Sequence, residues 1–282
     1  MRRLTLPPTG QRLLRDKLGL TGIAILLVLG FVAIFGPMLS PYDPTAQRFD
    51  LLLPPSADHL MGTDSLGRDV FSRIISGTRV SVSVGLGVAL LGGAIGVTLG
   101  LVAGFFRGWV DDIISRTVEV QWAFPELIAA LVIVTILGNG LVNVIIAISF
   151  AYIDDFARLV RGETLRLRTS DFALAGRVLG MPRRTILAKE ILPNALGPII
   201  VQGTVAVGFG ILGEAALSFL GLGVAPTTPT WGLILSDGRD FFQSAWWLAV
   251  FPGACIMVTV LGTNFFGRAL QRTLGVQEAA AL

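Results

Sequence analysis

Six apolar stretches, each near the roughly 20 residues that a helix needs to cross a bilayer, set the terms on which this chain can fold. They cover residues 18–38, 80–106, 118–137, 141–156, 195–224 and 245–266. Lipid offers no hydrogen bonds, so a spanning segment must satisfy its own backbone, and a helix does that within the segment. The expectation is an all-α, polytopic transmembrane bundle of about six helices. Composition agrees: 15% of residues are charged, against about 25% in soluble domains. The first stretch follows basic residues but shows no small-residue cleavage site before Pro37, so it reads as an uncleaved anchor. Only Gly138, Asn139 and Gly140 separate the third and fourth, which predicts a tight hairpin.

The basic residues sort by side. With both termini inside, the inner positives are Arg2, Arg3, Arg12, Arg15, Lys17, Arg107, Arg116, Arg158, Arg161, Arg166, Arg168, Arg177, Arg183, Arg184, Lys189, Arg268 and Arg272. The outer ones are Arg48, Arg68, Arg73, Arg79 and Arg239. Positive charge favours the cytoplasmic side, which predicts cytoplasmic termini. The same sorting argues against nucleic acid as the reason for the net charge of +3. The one long internal loop then covers residues 157–194, and the longer external segments cover 39–79 and 225–244.

Several chemistries are excluded. A Walker A loop needs Gly-Lys followed by Ser or Thr, but Lys17 precedes Leu18 and Lys189 precedes Glu190. ATP hydrolysis must therefore sit on another chain. Residues 208–213 fit a dinucleotide fingerprint by letter, yet they lie inside a span with no strand before them. The single histidine, His59, sits in a polar external loop, which argues against an intramembrane enzyme and against a His-based metal cluster. The single cysteine, Cys255, allows no intrachain disulfide. No catalytic, cofactor-binding or metal residues are assigned.

Gly92, Gly96, Gly100 and Gly104 recur every four residues and share one helix face, where a second backbone can come close. Tight packing within the subunit is the simpler reading, and a seam to a second subunit the alternative. Charge inside lipid is expensive, so intramembrane acids draw notice. Glu214 lies deep in the fifth stretch, and Glu119 and Glu126 flank Pro125 in the third. Asp154 and Asp155 lie near the inner end of the fourth. Glu119, Asp154 and Asp155 read as interfacial. Glu214 stands between two readings, the lining of a polar path or a buried hydrogen bond to a neighbouring helix.

Outside the membrane, Asp64 can cap a helix over residues 64–75 that places Leu66, Val70, Phe71, Ile74 and Ile75 on one side, as an amphipathic surface helix would. Inside, Ser170 suits an N-cap, Asp171 the first turn, and Gly180 the C′ position. Pro182 opens a second short helix to about Glu190, and Pro193 ends it and starts the fifth span. Two short helices at a Gly-Met-Pro corner form either a structural cap or a docking element for a cytoplasmic partner.

This loop resembles the signature of binding-protein-dependent ABC importer permeases. Their pattern is Glu-Ala-Ala, three residues, Gly, nine residues, Ile, one residue, Leu-Pro. Aligned on Gly180, the chain keeps Ala175, Leu192 and Pro193, and departs at Leu174 for Glu, Gly176 for Ala and Glu190 for Ile. Residues 59–73, 108–112, 124–125, 191–194, 214–223 and 229–232 resemble the C-type subunit of the dipeptide, oligopeptide and nickel permeases. The resemblance runs from about Gly19 to Gly267.

It implies a type I ABC importer permease fold. Residues 1–78 would hold the cytoplasmic N-terminal segment, the first span and the external amphipathic segment. Residues 79–267 would form the permease domain with coupling loop 157–194, and 268–282 a cytoplasmic tail. It further implies a non-catalytic subunit of a bacterial or archaeal cytoplasmic (inner) membrane, paired with a B-type sister permease. Two cytoplasmic ATPases would carry ATP and Mg, and an extracytoplasmic solute-binding protein would deliver di- or oligopeptides. A nickel or glutathione importer of the same family is the alternative, and an ion-coupled secondary transporter a remote one, since no internal repeat is evident. The coupling residues would be Ser170, Asp171, Ala175, Gly176, Gly180, Arg183, Arg184, Leu192 and Pro193. Glu214, Gln202 and Glu126 are the candidates for the path.

Overall fold

Each hydrophobic stretch forms a helix because its backbone has no other hydrogen-bonding partner in lipid. The computed structural model describes residues 16–274. Arg2, Arg3, Arg12, Arg15 and the tail beyond Leu274 lie outside the described residues. Nine helices are described: α1 (Lys17–Leu39), α2 (Val70–Phe106), α3 (Trp109–Trp122), α4 (Glu126–Leu137), α5 (Leu141–Leu167), α6 (Asp171–Val178), α7 (Arg183–Phe219), α8 (Trp231–Asp237) and α9 (Trp247–Leu274). Among the described residues α1, α2, α7 and α9 are each long and apolar enough to cross a membrane, and α3 with α4 reaches that length and apolarity only as a bent pair. At 27 residues, α5 is about 40 Å long and can also cross. Asp154, Asp155 and Arg158 interrupt its apolar run.

The glycine face of α2 packs on α5. A Cβ on Gly96 would come within 2.5 Å of the Ile153 carbonyl oxygen, and one on Gly100 within 2.6 Å of that of Ala157. Gly92 faces Ser149 and Gly104 faces Arg161 and Thr164. Four turns of α2 thus lie directly against the α5 backbone, within one chain. Gly22 sets α1 against α9 in the same way, at the Gly262 carbonyl and the Phe266 amide.

Three tiers of core follow, labelled outer, middle and inner by the sidedness that the charge sorting predicts. The outer tier gathers Val70, Ile74, Ile211, Trp231, Trp247 and Leu248. The middle tier joins α2, α4, α5 and α7 through Val84, Val88, Val134, Val144, Ile148, Phe156, Ala206 and Leu217. The inner tier seats α6 on the ends of α2, α5 and α7 through Leu101, Phe105, Leu167, Ala173, Ile186 and Ile191.

Four sequence expectations need correction. First, residues 64–75 form no separate surface helix. The Asp64 carboxylate accepts from the amides of Leu66 and Arg68 around a turn with Gly67 at φ +69°. The helix starts only after Asp69, which caps it by accepting from the Ser72 amide at 2.8 Å. That helix is α2 itself, whose 37 residues reach about 55 Å and so stand well beyond the hydrocarbon. Second, the third stretch is two helices bent by 91°. Pro125 has no N–H and disfavours helical backbone at Phe124, which breaks the hydrogen-bond ladder. Third, Pro193 does not end a helix. Residues Ile186–Ile191 widen into a π-helical turn, where the Leu192 amide reaches back five residues to the Leu187 carbonyl. Such a bulge lets a helix absorb a residue without a donor. The Asn194 side chain donates to the Glu190 carbonyl at 2.6 Å beside it. Fourth, α5 continues to Leu167, which moves Asp154 and Asp155 from its inner end to near its middle.

Candidate functional site

The first candidate is α6 and the corner that follows it. The amide of Gly180 donates to the Arg177 carbonyl and that of Met181 to the Gly176 carbonyl, each at 3.0 Å. This is a Schellman closure, which requires a left-handed residue at C′. Gly180 has φ +71° and open space around it, so the demand for glycine there is conformational. At Gly176 the demand is milder and steric, since a Cβ would meet Met181 Sδ at 3.3 Å and Ile186 Cγ1 at 3.4 Å. Ala173 and Gly176 are buried against the inner core tier.

The other side of α6 is bare. Val178 is 87% exposed and Leu179 79%, with Leu174 and Ala175 beside them. Asp171 lies exposed in the first turn. Arg183 and Arg184 are exposed at the start of α7. Leu192 is half-buried and Pro193 exposed further along it. Ser170 holds the N-cap position without the expected bond, because its hydroxyl donates back to the Leu167 carbonyl at 2.5 Å. The role expected of it as an acceptor is thereby corrected.

The second candidate lies at the break between α3 and α4. The Arg158 guanidinium donates to Asp155 at 2.9 Å and to Asp154 at 3.3 Å, and stacks over the Trp122 ring at 4.2 Å. Glu126 is exposed at the first residue of α4. Asp154 is thirteen residues into α5, about 20 Å along a helix of about 40 Å. The structure brings Glu126 near Asp154 and Asp155, two carboxylates from another apolar stretch.

Glu214 and Gln202 are not brought to that place. Glu214 is 0% exposed inside the subunit, with its Oε1 accepting from Ser218 Oγ at 2.7 Å. That is the buried hydrogen bond of the two sequence readings, although the partner is on the same helix. Gln202 is half-buried on α7. Twelve residues separate the two, so they sit about a third of a turn out of phase.

Two constellations escape a sequence reading because their partners are far apart in the chain. Before α2, Asp64 binds both Arg68 Nε, at 2.6 Å, and Arg73 Nη1, while Asp237 at the end of α8 accepts from Arg68 at 2.8 Å and pairs with Arg73 at 3.1 Å. Burial acts to raise the Asp64 pKa, but Arg73, the Arg68 amide and the Arg68 guanidinium together hold the carboxyl below the usual carboxylate range. Beside them His59 Nδ1 lies 2.9 Å from Asp69, so this histidine is buried rather than solvated. At the other end of α2, Arg161 grips Asp111 through Nε at 2.5 Å and Nη2 at 2.9 Å, which pins α3 to α5.

Comparison with known proteins places these features in one lineage. The family described as binding-protein-dependent transport system inner membrane component matches residues 96–276. The N-terminal TM domain of oligopeptide transport permease C matches residues 9–55. The chain is 45% identical to the dipeptide transport system permease protein DppC of Alkalihalophilus pseudofirmus, over 94% of this chain and 87% of the relative. It is 40% identical to the di/tripeptide transport system permease protein DppC of Pseudomonas aeruginosa, over 94% and 89%. It is 41% identical to the glutathione transport system permease protein GsiD of Pectobacterium atrosepticum, over 94% and 88%.

Proposed function

Because this chain belongs to the family of binding-protein-dependent transport system inner membrane components, we propose that it is the C-type membrane subunit of an ATP-driven importer of di- or oligopeptides. α6 carries the reading. Among the described residues nothing covers Leu174, Val178 and Leu179, and apolar side chains held out into water on a rigid helix mark a docking surface. A cytoplasmic ATPase is the partner we assign to it. Two such ATPases would hold ATP and Mg, a B-type sister permease would complete the path, and a solute-binding protein would deliver the peptide from outside. The subunit itself would catalyse nothing, which agrees with the absence of a Walker A lysine. Both termini would be cytoplasmic, as the charge sorting favours.

In this reading ATP binding closes the ATPases, α6 moves with them, and the inner core tier passes that motion to α2, α5 and α7. Alternating access needs two states that ATP and the loaded binding protein favour differently. The Glu126 cluster at the broken span lines the path, and Glu214 serves packing. The names of the relatives support peptide as cargo and keep glutathione as the second reading. The test is uptake by the reconstituted assembly, with labelled dipeptide, glutathione and a nickel chelate compared. ATP-dependent dipeptide accumulation is expected. Accumulation of glutathione alone would move the assignment to the second reading.

A further inference from the structure

Beneath α6 lies a cavity of about 380 Å³ whose wall includes Arg168, Arg177, Arg183, Phe105, Phe106 and Ile186. Four elements contribute: the end of α2, the cap of α5, α6 and the start of α7. Each guanidinium carries five N–H donors, yet this trio makes only two hydrogen bonds to the described protein. Arg168 donates to the Gly104 carbonyl at 3.3 Å and Arg177 to the Arg168 carbonyl at 3.1 Å. Among the described residues none of the three, nor neighbouring Arg107, has an acidic partner; other arginines such as Arg79, Arg184 and Arg268 share that lack, but none of those lines this cavity. Burial, then the like charges of Arg177 and Arg107, pull the Arg168 guanidinium below its usual range. Arg168 is half-buried and Arg177 and Arg183 are exposed, so water serves their unused donors and an anion entering the cavity can take its place.

The rest of the wall says what kind of anion fits. Phe105 is buried and Phe106 is 42% exposed at the last turn of α2, where the span ends and the chain turns at Arg107 with φ +58°. The site therefore has an apolar side at the edge of the hydrocarbon and a cationic side toward water. Basic pockets of this kind between helices on the inner side suit lipid headgroups. We propose that this cavity binds the phosphate of an anionic membrane lipid, held by Arg168, Arg177 and Arg183 with the glycerol stem against Phe105 and Phe106. The bound phosphate ties α6 to the ends of α2 and α5 and to the start of α7, so it steadies the helix that meets the partner.

The test uses the assembled transporter in nanodiscs of phosphatidylcholine with or without phosphatidylglycerol. Retained lipid is counted by native mass spectrometry and α6 amide exchange is followed in parallel. R168Q/R177Q should retain phosphatidylglycerol on the order of tenfold less well and lose the lipid-dependent protection of residues 173–178. R168K/R177K, which keeps the charge, should keep the lipid. R116Q/R166Q removes the same charge from positions outside the cavity wall and should behave as wild type. Equal retention in wild type and R168Q/R177Q would overturn the proposal. So would full protection of α6 by inorganic phosphate in lipid-free detergent, which would make the ligand a soluble anion. Loss of the ATPase subunits from R168Q/R177Q with lipid retention unchanged would assign these arginines to the protein partner and overturn it equally.

Discussion

The backbone amide of Met181 donates to the carbonyl of Gly176 at 3.0 Å, and this one bond folds the end of α6 back over its own buried face. It can form only while Gly180, between them, keeps its left-handed backbone at φ +71°. A side chain with a Cβ costs roughly 1 kcal/mol or more in that conformation. Gly180→Val should therefore tilt α6 without touching a span. Ala175→Trp should block close approach from outside, since residue 175 is on the exposed side. Both variants should insert into the membrane and pair with the sister permease. Both should lose labelled-peptide uptake and transport-stimulated ATP hydrolysis in reconstituted vesicles. Wild-type uptake in both would reduce this loop to a structural cap.

The α2–α5 contact yields a graded prediction. A Cβ at Gly96 would meet the Ile153 carbonyl oxygen and Phe156 Cβ, both at 2.5 Å, and backbone cannot step aside as a flexible side chain can. Gly96→Ala should lower stability by about 1–3 kcal/mol, as overpacking does. Gly203→Ala, where nothing lies within 4 Å, should not destabilise. Thermal unfolding in detergent compares the two, and equal melting points would show that the glycine face is not a packing requirement.

The external ion cluster predicts a large effect from a small change. Asp64→Asn leaves Arg73, 1% exposed, with Asp237 as its only carboxylate among the described residues. Breaking a buried pair from one side typically costs about 3–5 kcal/mol. The pH dependence has a defined sign. Despite its burial, Asp64 is held by Arg73 and Arg68 below the usual carboxylate value of about 3.9 in the folded protein. Its stabilising contribution is therefore fully present above that value and is lost as pH falls through the lower folded value. The stability gap between wild type and Asp64→Asn should stay constant from neutral pH down to about the ordinary carboxylate value near 4 and close below it. Melting curves across that range measure the gap, and a gap that already closes between neutrality and pH 5 would contradict the linkage.

Orientation is testable with topology reporters. A phosphatase that works only outside the membrane should stay inactive when fused after Leu282 and become active when inserted at Thr227, in the exposed loop between α7 and α8. The reverse pattern would invert the bundle and place α6 on the wrong side for an ATPase.

Much of this protein is decided locally, and so was legible in the sequence. Length and apolarity alone require helical spans, because lipid satisfies no backbone group. The Gly138–Gly140 hairpin, the four-residue glycine spacing on α2 and the left-handed demand at Gly180 are likewise properties of short segments. Tertiary structure decided where segments must agree with distant partners. Asp64 looks like a helix cap in sequence, yet arginines at 68 and 73 and the carboxylate of Asp237 make it the centre of a buried ion cluster, and the cap moves to Asp69. Pro193 looks like a stop, yet a π turn carries the helix through it. Asp154 and Asp155 look like the end of a span in sequence, yet α5 runs on to Leu167 and the fold brings them near Glu126 at the start of α4. Charges and prolines in lipid are tolerated only where a neighbour compensates them. Which neighbour that is depends on how the helices stack, and no local pattern encodes it.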